Sequence, residues 1–378
     1  MRRDSSIFTD PARASDQLPT RIGMVSTYPP TVCGLATFAA ALVHQFERAG
    51  HQVDIARLAH GSVDAVRTTA ATLRRSDVVV LQHEYGIFDG RDGDDVLEIL
   101  DAIEVPTIVV AHTVPLTPTD HQREVLTQVC RRAARVVVMT QTAHDRLLAL
   151  YPVDPDVVVT IPHGAATPTV SAVPGQTSGR APELLTWGLL GPGKGIEHVI
   201  DALGELRALG LRPRYTVAGV THPNVLAEHG EAYRDSLMDR AAAAGVADTV
   251  TFDASYRSVA DLTRFVASSS VVVLPYDSRD QVTSGVLVDA ITAGRPVIAT
   301  AFPHAVELLG SGAGIVIPHG DVQALATAIR VLVEHPSARA TMAAEAQRLA
   351  PGLAWPNVAG RYLDLCAELS RSAQKVAS

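Results

Sequence analysis

Residues 183–209, ELLTWGLLGPGKGIEHVIDALGELRAL, decide how the chain folds. A short apolar run, Glu183–Gly188, gives way to a glycine-rich loop. A segment follows, Gly195–Leu209, whose apolar side chains recur at helical spacing. This is a strand, a loop and a helix. The unit recurs along the chain. Apolar runs read as strands at Arg21–Ser26, Ser76–Gln82, Pro106–Ala111, Arg135–Met139 and Val157–Ile161. Later ones are Arg214–Val220, Thr249–Asp253, Ser270–Leu274, Pro296–Ala301 and Gly314–Ile317. Helical patterns lie among them, at Leu35–Gly50, Thr117–Ala134, Glu231–Gly245, Val259–Ala267, Val286–Ala293 and Val322–Glu334. Continuous rather than alternating apolar runs mean strands buried on both faces, and strand–helix–strand order means parallel sheets. Residues 166–182, ATPTVSAVPGQTSGRAP, break the alternation with a linker composition. The fold class read here is therefore α/β, two doubly wound Rossmann-like domains facing a central cleft. Ligands in such sheets bind where the strands' carboxyl ends meet a crevice. A last helical pattern, Ala354–Ser372, follows Pro351-Gly352.

Length and charge agree. The 378 residues suit two domains of roughly 100–200 residues each. Thirty-two basic against forty acidic side chains give −8, and residues 1–180 carry sixteen against twenty. With no basic half, nucleic acid is not expected as a partner. Three cysteines without a CxxC pair fit a reducing compartment, and the expected localisation is cytoplasmic. No run approaches about 18 uncharged apolar residues, so no transmembrane segment is expected. Nothing in the sequence specifies an oligomeric state.

Several loops could carry chemistry. Gly34 stands between the first strand and its helix, where backbone N–H groups suit a phosphate; a tight turn alone would also need a glycine. The loop Gly188–Gly195 nearly matches G-x-x-x-x-G-K-[ST], but Gly195 replaces the hydroxyl residue and Pro192 lacks an N–H, which tells against a nucleoside triphosphatase. Lys194 and Lys375 are the only lysines in an arginine-using chain, so Lys194 reads as a point charge for phosphate or as a solvated helix-start residue. Ser284 and Gly285 open a helix that offers a second anion site, and Asp289 one turn on could accept ribose hydroxyls. His83 and His112 follow apolar strands and are expected to face the cleft. Asp92-Gly93-Asp94 spells D-x-D, which helix capping explains more simply than a metal. No metal site is expected.

The ordered motifs YPPTVCGLATF, HEYGIF, AHT, IPHG, GLLGPGKG, AGVTHP, LPYDSRDQVTSGVLVDAITAGRPVIAT and LAWPNVAGRYLDL resemble the retaining glycosyltransferases of group 1, family 4, with GT-B architecture. The resemblance covers nearly everything after residue 20. It implies an acceptor domain at 21–170 and a nucleotide-sugar domain at 183–352; a disordered tail at 1–20 and a linker at 171–182 are expected around the first of them. Residues 353–378 would be a helix crossing back to the first domain.

The resemblance also assigns residues. Gly34 would approach the donor diphosphate, Lys194 would bind it, and His112 would contact the donor sugar. Gln281 and Asp289 fall on the two acids of E-x7-E, meeting sugar and ribose. Ser284, Gly285 and Val286 would present N–H groups. His83, Glu84 and Tyr85 lie on the acceptor side. Catalytic roles fall to Lys194, His112 and Gln281. Two positions depart from the family: Leu189 replaces an arginine and Gln281 an acid. Arg279 could supply the missing cation.

The implied reaction moves a hexose from a nucleotide-diphosphate sugar, of GDP-mannose or UDP-glucose type, to a saccharide or other hydroxyl acceptor, by a metal-independent front-face mechanism and without a cofactor. Base choice would depend on the loop around Tyr256. A sugar-nucleotide epimerase of the same architecture, or a nucleotide-sugar-binding protein without turnover, are the alternatives.

Overall fold

The computed structural model of the chain describes residues 20–31, 33–59, 61, 64–168, 182–255 and 257–377. The tail read over 1–20 and the linker over 171–182 lie almost wholly outside these residues, as does Tyr256.

Twelve strands form two sheets among the described residues. The first holds β1 (Arg21–Ser26), β2 (Gln52–Arg57), β3 (Val78–His83), β4 (Thr107–Ala111), β5 (Arg135–Val138) and β6 (Val158–Thr160), in the order β2-β1-β3-β4-β5-β6. The second holds β7 (Glu183–Trp187), β8 (Arg214–Ala218), β9 (Val250–Asp253), β10 (Val271–Leu274), β11 (Val297–Thr300) and β12 (Gly314–Ile317), in the order β12-β11-β10-β7-β8-β9. Every pairing is parallel. The strand order reverses between β1 and β3 in the first sheet and between β7 and β10 in the second. Those two switch points open the crevices in which ligands bind.

The interior strands are the valine-rich runs, with β3, β4, β10 and β11 buried throughout. β-Branched side chains pack well on a pleated surface covered on both faces. The strand β2 escaped the sequence reading because it lies at a sheet edge. Its ends, Gln52 and Arg57, are exposed, and Asp54 interrupts Val53 and Ile55, so no continuous apolar run marks it. Short helices at Ala65–Leu73, Asp95–Asp101, Gln141–Leu150, Pro223–His229 and Pro303–Leu309 escaped too, being about two turns long.

Pro351-Gly352 is not the break that the sequence suggests. The helix Pro336–Leu353 runs through Pro351, and the chain turns at Ala354, whose backbone is extended (φ −67°, ψ 136°). The next helix, Trp355–Ala377, crosses to the first domain. Trp355, Val358, Ala359, Tyr362, Cys366 and Leu369 make one buried stripe and pack with Ile22, Met24, Phe38, Leu42 and Phe46. The crossing is pinned where Ala165 N–H donates to Leu353 O (2.8 Å) and Trp355 N–H to Ala165 O (3.1 Å). The indole ring lies on Gly164, where a Cβ would come within 2.3 Å of it. No helix among the described residues is long and apolar enough to cross a membrane.

Trp355 carries this return crossing. Trp355→Ala is expected to cost about 3–5 kcal/mol, the range for removing a large buried aromatic. Urea unfolding followed by far-UV circular dichroism checks it, and a loss below 1 kcal/mol, which is about the cost of a surface change, contradicts the packing role.

Candidate active site

The site is built first on the switch point between β7 and β10. The loop after β7 carries Lys194 and the loop after β10 carries residues 275–284. The loops touch: Asp277 N–H donates to Gly193 O (3.0 Å). Gly195 sits against Pro275 O, where a Cβ would come within 1.8 Å, and has φ +65°. Only glycine fits there. Lys194 is half-buried, with Nζ 4.7 Å from the Tyr276 ring centroid. It has no ion pair among the described residues, and burial lowers its pKa. An ammonium partly desolvated and held only by a π face is poised for an anion.

The helix Gly285–Thr292 opens beside it. The sequence reading gave three N–H groups to a ligand here, and the structure removes one. Ser284 N–H donates to His304 Nδ1 (2.8 Å), and Ser284 Oγ accepts from Leu287 N–H as a cap (3.3 Å). Ser284 thus serves the fold, while the Gly285 and Val286 amides have no partner among the described residues. They are first-turn donors, which the helix itself cannot satisfy. Asp289, on the next turn, is half-buried, and burial raises its carboxyl to about 7.

Gln281 donates through Nε2 to Thr283 O (3.0 Å), which leaves its Oε1 as a neutral acceptor. The amide therefore offers the same acceptor atom as the family's acid, without the charge. Arg279 is exposed, with no ion pair among the described residues.

The first domain meets this helix through a cluster around Phe38. The Phe38 ring contacts His112 (centroids 5.0 Å), His163 (4.9 Å) and Trp355 (5.1 Å), edge to face. His163 in turn abuts Gly285, where a Cβ would lie 3.0 Å from its Cε1 and Nε2. The helix carrying Phe38 begins at Gly34, so its open end belongs to the same seam. Its cap is Cys33, whose Sγ accepts from Ala36 N–H (3.3 Å). Gly34 has a negative φ, and a Cβ there would meet nothing within 4 Å. The fold therefore tolerates alanine at Gly34, and the space beside its Cα is open to a ligand.

His112 is oriented by Gln82. That amide donates to Met24 Sδ (3.7 Å), so its Oε1 accepts from His112 Nε2–H (2.7 Å), leaving Nδ1 as a lone pair. Burial, with His163 and His83 nearby, pushes His112 down to about 3. His163 donates through Nδ1 to Gly164 O (2.7 Å), and burial lowers it to about 4. Burial, with His163 nearby, lowers His304 to about 3. These rings are neutral at pH 7 and act as hydrogen-bonding groups. His163 stands in the quoted motif IPHG and Gln82 just before HEYGIF, yet the sequence gave no reason to single them out.

The acceptor-side trio separates. His83 does not face the cleft. It is 0% exposed, packs against Tyr85 and Phe88, and both ring nitrogens lack partners among the described residues. Strand alternation explains this, because Gln82 takes the face toward His112 and its successor the opposite one. Glu84 is half-buried, accepting from the Thr113 hydroxyl and from Tyr85 N–H (3.0 Å), and burial raises its pKa. Tyr85 OH donates to Gln122 O (3.1 Å). The D-x-D carboxylates both face His121, Asp92 at 2.9 Å and Asp94 at 3.4 Å. A separate set beside Lys194, Glu197, His198 and Asp277, has ligand atoms within 4.8 Å of one another. His198 and Asp277 stand 3.3 Å apart, and Tyr233 OH donates to Glu197 (3.0 Å).

The profile of the "Glycosyl transferases group 1" family matches residues 174–349. The second domain belongs to this family. The chain is 28% identical over 257 residues to a D-inositol 3-phosphate glycosyltransferase from Kineococcus radiotolerans, covering 63% of this chain and 58% of that protein. The chain thus spans little more than half the length of that curated relative. Sucrose-phosphate synthase from Thermosynechococcus elongatus superposes with a TM-score of 0.76 at 16% identity, over 93% of this chain and 100% of the other. Anabaena HepE, solved with UDP and glucose, gives 0.71 at 18% identity over 93% and 100%. Both sheets and the helix returning to the first domain make this a GT-B fold.

Asp289 gives the group 1 domain a measurable pH dependence. Its carboxyl binds a proton more tightly folded than unfolded, so between about pH 4 and 7 stability falls as pH rises. Asp289→Asn is therefore expected to stabilise the protein at pH 8 and much less at pH 4. Urea unfolding at the two pH values checks it, and an equal effect at both contradicts the buried carboxyl.

Proposed function

We propose that the protein is a retaining glycosyltransferase of the family 4 type, moving a hexose from a nucleoside diphosphate sugar to a saccharide or other hydroxyl acceptor. One observation carries this reading: an unpaired, half-buried Lys194 ammonium stands at the same switch point as the unpartnered Gly285 and Val286 amides. Fixed positive and dipolar groups of this kind stabilise charge that develops on a leaving diphosphate. Gly34, open to a ligand at its helix N-terminus, adds a donor from the first domain.

In the proposed reaction the bond from the anomeric carbon to the diphosphate oxygen breaks, and a bond from that carbon to the acceptor hydroxyl oxygen forms. The acceptor approaches on the leaving-group face, and its proton passes to the departing phosphate oxygen. No protein nucleophile is used. Neutral His112 accepts a sugar hydroxyl at Nδ1, Gln281 accepts another at Oε1, and Asp289 accepts ribose hydroxyls. Arg279 supplies a cation from the opposite loop, in place of the arginine missing at Leu189. The proposed reaction is metal-independent, with Lys194 supplying the counter-charge to the leaving diphosphate.

A thermal-shift screen of UDP, GDP, ADP and their hexose conjugates, with and without EDTA, followed by anomeric assignment of product by NMR, tests the reading. One nucleotide family is expected to stabilise the protein in EDTA. Lys194→Ala is expected to lower kcat/KM by about 10²–10³-fold, the cost of removing one group from such a site. Gly34→Ala is expected to leave Tm unchanged and weaken donor binding. Activity lost in EDTA, restored by Mg²⁺ and no longer restored in Asp277→Asn, would move the counter-charge to a cation at Glu197, His198 and Asp277.

A further inference from the structure

The loop that carries Arg279 and Gln281 belongs to the second domain, yet it is fastened to the first on both sides of Gln281. On one side, Asp280 receives Arg146, and Leu116 N–H donates to Asp280 Oδ2 (3.1 Å). The Arg146 side chain is 7% exposed, and Asp280 is its only carboxylate among the described residues. The same guanidinium also donates to Asp280 O (3.2 Å) and to Val114 O (2.9 Å). On the other side, Val282 is buried in the first domain's core beside Val114, and its carbonyl accepts from the Thr140 hydroxyl (3.1 Å). A buried guanidinium with one carboxylate holds that carboxylate strongly, since removing it strands the charge.

We infer that Asp280 and Arg146 form an interdomain latch that positions Gln281 for the donor sugar, so that the sugar subsite of the second domain is complete only when the first domain is docked. Asp280 and Val282 flank Gln281 and fix the backbone from which its amide projects. That amide is then oriented by Thr283 O within the same loop. Neither Asp280 nor Arg146 need touch the donor; both act through Gln281 and are positioning residues. The sugar contact of Gln281 rests on the glycosyl-transfer reading, whereas the fastening of the loop does not. The device ties sugar binding to domain docking: a donor lacking its sugar would bind through Lys194, Gly285, Val286 and Asp289 without drawing on the latch.

Asp280→Ala tests this. The Asp280 side chain is 44% exposed, so its removal leaves no core cavity, although it strands the Arg146 charge; retained affinity for the bare diphosphate shows that the variant still folds. Calorimetric titration compares a nucleoside diphosphate with its hexose conjugate for wild type, Asp280→Ala, Gln281→Ala and the double variant. Affinity for the sugar conjugate is expected to fall by on the order of tenfold in each single variant, and no further in the double, as for two residues acting through one contact. Affinity for the bare diphosphate is expected to hold. Equal loss on both ligands, or additive losses, would overturn the positioning role. Hydrogen exchange of residues 279–283 gives a readout without ligand, and Asp280→Ala is expected to accelerate it. Unchanged exchange would overturn the latch. Accelerated exchange in a protein whose wild type binds no nucleotide sugar would keep the latch and reject the glycosyl-transfer reading.

Discussion

A parallel sheet ends all its strands at one edge, and every property of this cleft depends on that constraint. At the β7–β10 switch point the departing chains diverge and leave a crevice floored by backbone. The Lys194 loop and the loop after β10 must share that crevice, which is why Gly195 lies against Pro275 O and Asp277 N–H reaches Gly193 O. The first domain repeats the arrangement at β1 and β3. The helix starting at Gly34 and the residues following β3 and β4 therefore open toward the same seam. The Phe38 ring joins the two halves, touching His112 and Trp355 and reaching Gly285 through His163.

The electrostatics of the seam follow from its burial. Desolvation drives the histidines toward neutrality and Asp289 toward protonation. The same burial lowers the pKa of Lys194, whose ammonium has the Tyr276 face to help hold its charge. A positive charge thus stands among neutral donors and acceptors. Such a pocket favours a ligand that brings its own negative charge at one end and hydroxyl groups at the other.

Much of this was legible in the sequence because the relevant signals are local. Continuous valine runs announced β3, β4 and β10, and the glycine-rich loop announced the turn around Lys194. What stayed hidden depends on partners far along the chain. Arg146 reads as one arginine among many, and its carboxylate lies 134 residues away. Ser284 reads as a phosphate-binding residue until His304, twenty residues on, is seen to take its amide. His83 and His112 look alike as strand-end histidines, but the pleat sends His83 into the core while Gln82 takes the face toward His112. The edge strand β2 lacked an apolar run because one side of it faces no neighbour.

The central claim is that Lys194 and the Gly285 and Val286 amides hold the diphosphate of a nucleotide sugar. A crystal structure with a bound nucleoside diphosphate tests it most directly. The account predicts phosphate oxygens within hydrogen-bonding reach of Lys194 Nζ and of both amides, with the ribose on Asp289. A diphosphate bound elsewhere, with Lys194 still resting on the Tyr276 ring, would contradict it.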